Sequence, residues 1–187
     1  MSYYTQSDER IFDSFCLLAN QAESYHKISM KQVAEKMHIS RQTLNNHGYS
    51  NIEDIVKHLH IFVNMEAKKE IEAFISKNSD NDNLDLMLLF VETLLPNFYK
   101  QRYYFYTIYR HTSGPYWLKT FEDSYIPLIK PFFRNLEEAD LSAKLFIQFI
   151  DRILSSWLTK ERPENPIDFQ EKFLSLISCL IDTLIHL

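Results

Sequence analysis

The residues with the clearest chemical vocabulary follow Ser40: Arg41, Gln42, Thr43, Asn45, Asn46 and His47, interrupted only by Leu44. The carboxamides of Gln and Asn can pair bidentately with adenine edges, a Thr methyl can meet that of thymine, and Arg can take guanine or phosphate. A helix face that merely meets water more often carries Glu and Lys. Polar positions with no acid among them suit a negatively charged partner, and reading base edges requires that they be held on one rigid face.

Two short helices are placed to hold that face. Ser29 stands where an N-cap would, and Gln32, three residues on, completes a capping box for a helix running through Met37. Ser40 caps the next helix, which Gly48 ends as a left-handed stop. Ala34 is small where two crossing helices must approach closely. Val33, Met37, Ile39 and Leu44 form the apolar wedge between them, the pattern of a helix-turn-helix. The formal charge of the chain is −5, yet residues 24–50 carry Lys27, Lys31, Lys36 and Arg41 against the single acid Glu35, with His26, His38 and His47 besides. Attraction to a polyanion is local, so this patch outweighs the total.

Here the sequence resembles the TetR/AcrR family of one-component regulators. The resemblance starts at Arg10-Ile-Phe-Asp-Ser-Phe, continues through Ser29-Met-Lys-Gln-Val-Ala-Glu and Ile39-Ser-Arg-Gln-Thr-Leu, and ends at Asn51-Ile-Glu-Asp-Ile-Val, covering roughly the first 60 residues. It implies an all-α, nine-helix TetR-like fold that dimerises through its last two helices, with an effector pocket between the fifth and eighth. The implied function is a DNA-binding repressor controlled by a small organic effector, acting on double-stranded DNA at a pseudo-palindromic operator. Carried over by position, Gln42, Thr43, Asn45, Asn46 and His47 face the major groove, and Ser29, Ser40, Tyr49 and Lys57 lie near phosphates. Lys31 and Arg41 add positive charge to the same surface. Two departures stand out. His38 occupies a turn position that usually carries glycine, and histidine tolerates positive φ better than most residues. The aromatic pair that closes the recognition helix is replaced by Asn46-His47-Gly48-Tyr49, with one extra residue, so that Tyr49 can take the packing role of the missing aromatic.

The rest reads as helix. Ser7 is placed to cap a first helix whose apolar face is Ile11, Phe12, Phe15, Leu18, Ala19 and Ala22. A long helix from about Asn51 to Ser76 follows the motif, and the polar run Lys77 to Asn83 reads as a loop in which Asp82 or Asn83 caps the next helix. Further helices are expected over about 84–101 (bent near Pro96), 103–111, 115–135 (broken at Pro127 and Pro131), 141–160 and from Ile167 onward. The organisation is therefore a helix-turn-helix DNA-binding domain over 1–50, a connecting helix over 51–78, and a helical effector-binding and dimerisation domain over 79–187.

Between Phe98 and Phe133, 13 of 36 residues are aromatic and seven of these are tyrosines. Most must be core. Tyrosine, however, is costly to bury unless its hydroxyl finds a partner, so this density suggests an amphipathic cavity for an organic ligand. Tyr103, Tyr106, Trp117, Phe121, Tyr125 and Phe149 are the expected lining. The acids Glu92, Glu122, Asp123 and Asp151 match or outnumber the bases along most of this region, which favours a neutral or cationic ligand. Coupling to DNA is expected to run through the long helix, the one segment that connects head and body.

The last two helices, within residues 141–187, are apolar around more than half their circumference and require a partner on the far side, as in a two-fold four-helix bundle. Trp157 and Leu180 are expected in that homodimer interface. Cys16 and Cys179 sit in apolar helical patterns and read as small buried hydrophobes. His58 and His60, two apart on a helix, point in different directions, no cysteine–histidine spacing suits a metal, and no nucleophile with its base or glycine-rich phosphate loop can be picked out. Neither a metal, a cofactor nor enzymatic activity is expected. Without a leader-like start or an apolar tract long enough to span a bilayer, the expectation is a cytoplasmic protein. The alternative reading is a helical protein-interaction module whose helix-turn-helix contacts a protein partner.

Overall fold

A computed structural model describes residues 4–77, 83–112, 114–133 and 138–185, and the side chains of all of these except 83–84 and 181–185. Among them the chain forms nine helices and no strand: α1 (Gln6–Gln21), α2 (Met30–Met37), α3 (Arg41–Asn46), α4 (Ile52–Lys77), α5 (83–100), α6 (102–112), α7 (Pro115–Ile129), α8 (Ala139–Leu158) and α9 (Pro166–Ile185). The all-α, nine-helix architecture is as the sequence suggests.

Caps account for the first three helices. Thr5, and not Ser7, caps α1: its hydroxyl faces the Asp8 backbone N–H, and the Asp8 carboxylate accepts from the Thr5 backbone N–H at 2.8 Å. Only Thr5 has an acid three residues on for this reciprocal box. Ser29 and Gln32 form the same box on α2, with the Ser29 N–H donating to Gln32 Oε1 at 2.8 Å. His38 ends α2 in the left-handed region (φ 57°, ψ 40°), and Gly48 follows α3 at φ 90°. Leu44, fully buried, is the pin by which α3 is held on the head, as Val33, Ala34 and Met37 hold α2.

Proline chemistry shapes the body. The helix over 83–100 contains a π turn, Phe90–Leu94, directly before Pro96. Proline lacks the N–H and crowds the carbonyl four residues back, and a widened turn relieves both. A second π turn, Ile108–Thr112, closes α6. The break expected at Pro127 does not occur: α7 continues to Ile129, and the short 3-10 turn Lys130–Phe133 carries the bend near Pro131 instead. The carbonyl that Pro127 leaves without a donor belongs to exposed Asp123, where water can satisfy it. Asp82, proposed as a cap, lies outside the described residues, as does the side chain of Asn83.

In the body α4, α7 and α8 pack together, and α9 covers α5 and α8. Trp157 stacks on Phe169 with centroids 4.2 Å apart and donates its indole N–H to the Glu164 carbonyl at 2.9 Å. Trp157 thus belongs to the protomer's own core, a correction to its expected place in an interface. Cys16 is buried, with its thiol pushed up to about 12 by desolvation, whereas Cys179 is exposed because it falls on the outer side of α9. The side chains from Ile181 onward, part of the expected α9 stripe, lie outside the described residues.

The turn of the helix-turn-helix generates a prediction. A side chain at φ 57° costs roughly 1 kcal/mol relative to glycine. His38→Gly should therefore raise unfolding stability by about 0.5–1 kcal/mol in urea, and His38→Val should lower it. A destabilised glycine variant would show that the imidazole contributes more than its strain removes.

Candidate nucleic-acid interface and candidate ligand site

The face after Ser40 is presented outward. Arg41, Gln42, Asn45, Asn46 and His47 are exposed, Thr43 is half-buried and Leu44 between them is buried. The Ser40 hydroxyl accepts from the Thr43 N–H at 3.0 Å and lies 2.9 Å from the Thr43 hydroxyl, so both side chains are tied into the cap. Gln42 donates from Nε2 to Asn46 Oδ1 at 3.1 Å, which aligns two carboxamides on one face before any partner arrives. Ser29, Lys31 and Lys57 are exposed. Lys31 pairs with Glu35 at 3.7 Å, Lys27 pairs with Glu23, and His26 lies 3.7 Å from Glu53. Among the described residues no acid comes within ion-pair distance of Lys36, Arg41 or Lys57, although Glu53 and Asp54 stand in the first turn of α4.

Tyr49 departs from the expectation of a phosphate contact. It is 2% exposed, and its hydroxyl donates to Asp8 Oδ1 at 2.7 Å. Its ring packs edge-on against Phe12 and His58. It closes the recognition helix onto α1, the packing role left open by the missing aromatic pair. Asp8 is buried yet ionises readily: desolvation raises its pKa, the hydrogen bonds from Thr5 and Tyr49 lower it, and the net displacement is downward.

The six aromatics expected to line a cavity do not converge. Trp117, Phe121 and Tyr125 recur every fourth residue on α7 and pack on one another, with successive centroids 5.4 and 4.6 Å apart. Tyr103 is 42% exposed. Tyr106 is half-buried beneath the Arg110 guanidinium, 5.6 Å from its ring centroid. The reason is periodicity: α6 turns Phe105, Ile108 and Tyr109 inward, so Tyr103 and Tyr106 face out. Phe149 lies in a separate shallow groove between α8 and α9.

The tyrosine hydroxyls are instead satisfied by a buried polar network. Tyr125 donates to Asn64 Oδ1 at 2.8 Å, and Asn64 donates to the His60 carbonyl at 2.7 Å. Tyr109 and the Trp117 indole both donate to Asp151 Oδ1, each at 3.0 Å. His60, fully buried, meets the Thr112 hydroxyl through Nε2 at 3.0 Å and packs against Trp117. Its Nδ1 has no hydrogen-bond partner among the described residues, and desolvation lowers its pKa to about 4. Sequence reading missed Tyr109 and gave Asp151 no role beyond its charge. The available signal was an acid interrupting the apolar run Ile147, Ile150, Leu154 of α8.

No protein-family model matches the chain and no curated sequence matches it. Solved structures do. The dihydroxyacetone kinase operon activator DhaS superposes with a TM-score of 0.54 at 16% identity, over 96% of this chain and 98% of that one. AlkX, a TetR family repressor from Dietzia sp. implicated in biodegradation of n-alkanes, superposes with a TM-score of 0.52 at 18% identity, over 94% and 98%. The chain has the TetR fold. At these identities the likeness is one of architecture, and it spans head and body together.

Within this TetR fold, head and body meet at more than the connecting helix. Phe62 of α4 packs between Phe12 of α1, at 5.1 Å, and Tyr104 of α6, at 5.6 Å. The Tyr104 hydroxyl donates to Asp13 Oδ1 at 2.7 Å, and Asn20 of α1 donates to the Thr107 hydroxyl of α6 at 3.0 Å. The expectation that α4 alone connects head and body is therefore corrected: α6 also contacts the head directly. His58, on the head side of α4, meets Tyr4 at 2.9 Å, while His60 faces the body.

Tyr49→Phe should cost about 1.5–3 kcal/mol of stability, because a hydrogen bond to a carboxylate is lost in a buried setting. The salt dependence of binding to any polyanion should be unchanged. A shallower salt slope with unaltered stability would return Tyr49 to the interface.

Proposed function

We propose that this chain is a DNA-binding transcriptional regulator, a homodimeric repressor controlled by a small organic effector. The observation that carries the reading is the outward face of α3, where exposed Arg41, Gln42, Asn45, Asn46 and His47 stand on a helix capped at both ends and pinned by buried Leu44. Its dimensions suit entry into a major groove. In this reading residues 1–50 are the DNA-binding head, 51–78 the connecting helix, and 79–187 the effector and dimerisation body. Gln42, Asn45 and Asn46 read bases. Ser29, Lys31, Arg41, Lys57 and the Ser40–Thr43 cap meet phosphates or sit beside them, and His47 lies at the edge of the contact.

Dimerisation is supported by Leu141 and Leu145 on α8 and Leu176 on α9, which are 50%, 37% and 45% exposed. Leu176 lines the groove that holds Phe149, Leu145 and Leu141 stand one and two turns before Phe149 on α8, and two copies brought together by a two-fold axis would cover them. The TetR fold supports the same arrangement. The two structural neighbours are described as an activator and a repressor, so the fold by itself does not set the sign of regulation.

Binding measured by anisotropy on duplexes flanking the chain's own gene tests the reading. Asn45→Ala or Gln42→Ala should lose about 1–3 kcal/mol at the cognate site and flatten sequence preference. Lys31→Ala or Lys57→Ala should weaken all duplexes alike and reduce the salt slope by about one. Absence of salt-dependent binding to every duplex would favour the reading in which the head contacts a protein.

Sedimentation of the wild-type chain at micromolar concentration should show a dimer. Leu145→Glu combined with Leu176→Glu should give a folded monomer, because two charges are forced into an apolar contact. A wild-type monomer at high concentration would contradict the assembly.

A further inference from the structure

Asp151 is the one buried acid of the body among the described residues, at 7% exposure, and its surroundings are unusual. Both donors that reach it, the Tyr109 phenol and the Trp117 indole, are neutral and converge on Oδ1. Among the described residues no donor reaches Oδ2. Arg152, next in sequence, is exposed and makes no ion pair with it, while Glu122 adds negative potential nearby. A carboxylate taken out of water is costly unless a cation compensates it, and here the Arg152 charge favours it only from a distance, with no cation in ion-pair contact among the described residues.

The same carboxylate opens onto a cleft of about 380 Å³ between the Gly114–Pro115 start of α7 and α8. Tyr109, Trp117 and Leu118 form its wall, and Arg152 and Ser155 stand at its rim. A carboxylate beside an apolar, aromatic wall suits a ligand that is cationic at one end and apolar at the other. We propose that this cleft is a binding site for a protonated organic amine carrying an apolar or aromatic body, with the ammonium on Asp151 and the body against Trp117 and Tyr109. An ammonium donates up to three hydrogen bonds, and Oδ2 is the acceptor left to receive one. Arg152 at the rim disfavours a second cation and allows the ligand to be dipolar.

The site also has a route to the head, which rests on the reading of the chain as an effector-controlled regulator. An amine on Oδ2 and Tyr109 on Oδ1 pull on the same carboxylate. Tyr109 lies on α6, two residues from Thr107, which holds Asn20 of α1. Drawing Asp151 toward a ligand therefore loosens an anchor of the helix that grips the head.

The test uses the full-length chain and three probes of similar shape: phenethylamine as the cation, 3-phenylpropanol as the neutral body and 3-phenylpropionate as the anion. Calorimetry and tryptophan fluorescence, read from Trp117 against Trp157, measure binding without DNA. Phenethylamine should bind once per chain and at least about tenfold more tightly than the other two. Asp151→Asn, which keeps an acceptor for Tyr109 and Trp117, should lose that preference. Ser155→Trp, which fills the cleft from its rim without touching Asp151, should abolish binding while leaving the fold intact. Equal binding of alcohol or acid, or full amine affinity in both variants, would overturn the site. If the amine binds as expected and operator affinity is unchanged, the site stands and effector control fails; a 5- to 150-fold weakening of the operator is the range expected for coupling.

Discussion

The helix Ile52–Lys77 has to satisfy two cores at once, and the remaining architecture is arranged around that constraint. Ile55, Val56, Leu59, Val63, Ala67 and Ile71 are all buried along it, each large side chain contributing roughly 1.5–3 kcal/mol. Its Phe62 ring touches α1 on one side and α6 on the other. These contacts belong to one close-packed interior shared by head and body. The hydrogen bonds Tyr104 to Asp13 and Asn20 to Thr107 reinforce the joint with geometry that tolerates little slack.

The body's interior is more polar than its composition suggests. His60, Asn64, Tyr109, Trp117, Tyr125 and Asp151 bring donors and acceptors from four helices into one region, and among the described residues all but Asp151 Oδ2 and His60 Nδ1 are engaged. Such a core is worth less in stability than an apolar one of equal volume. What it provides is a small set of directional contacts that a ligand can exchange, which packed hydrocarbon does not offer.

Much of the head was legible in its residues. Ser29 with Gln32, Ser40, His38 and Gly48 each have one backbone geometry that suits them, so caps, turn and recognition helix follow locally. Thr5 was overlooked in favour of Ser7, although its partner Asp8 lies only three residues on and the box was legible locally. The body was legible as helices and poorly as a site. Aromatic density in Tyr103–Tyr109 did not reveal which faces of a π-interrupted helix turn inward; Phe121 and Tyr125 are packed in the core, and Trp117 is buried while also bordering the cleft beside Asp151. Asp151 was visible as an acid within an apolar stripe. Its pairing with Tyr109 and Trp117 depends on how α6, α7 and α8 meet, which no local rule encodes.

The central claim is that two α3 faces, carried by bodies related by a two-fold axis, read two half-sites on one side of a duplex. Selection of bound fragments from a random duplex pool by the full-length chain tests this most directly. The account predicts enrichment of an inverted repeat whose half-sites lie roughly 34–36 Å apart, or a multiple of that spacing, with the preferred bases altered by Asn45→Ala. Recovery of fragments with no common motif, or of a single unrepeated half-site, would contradict it.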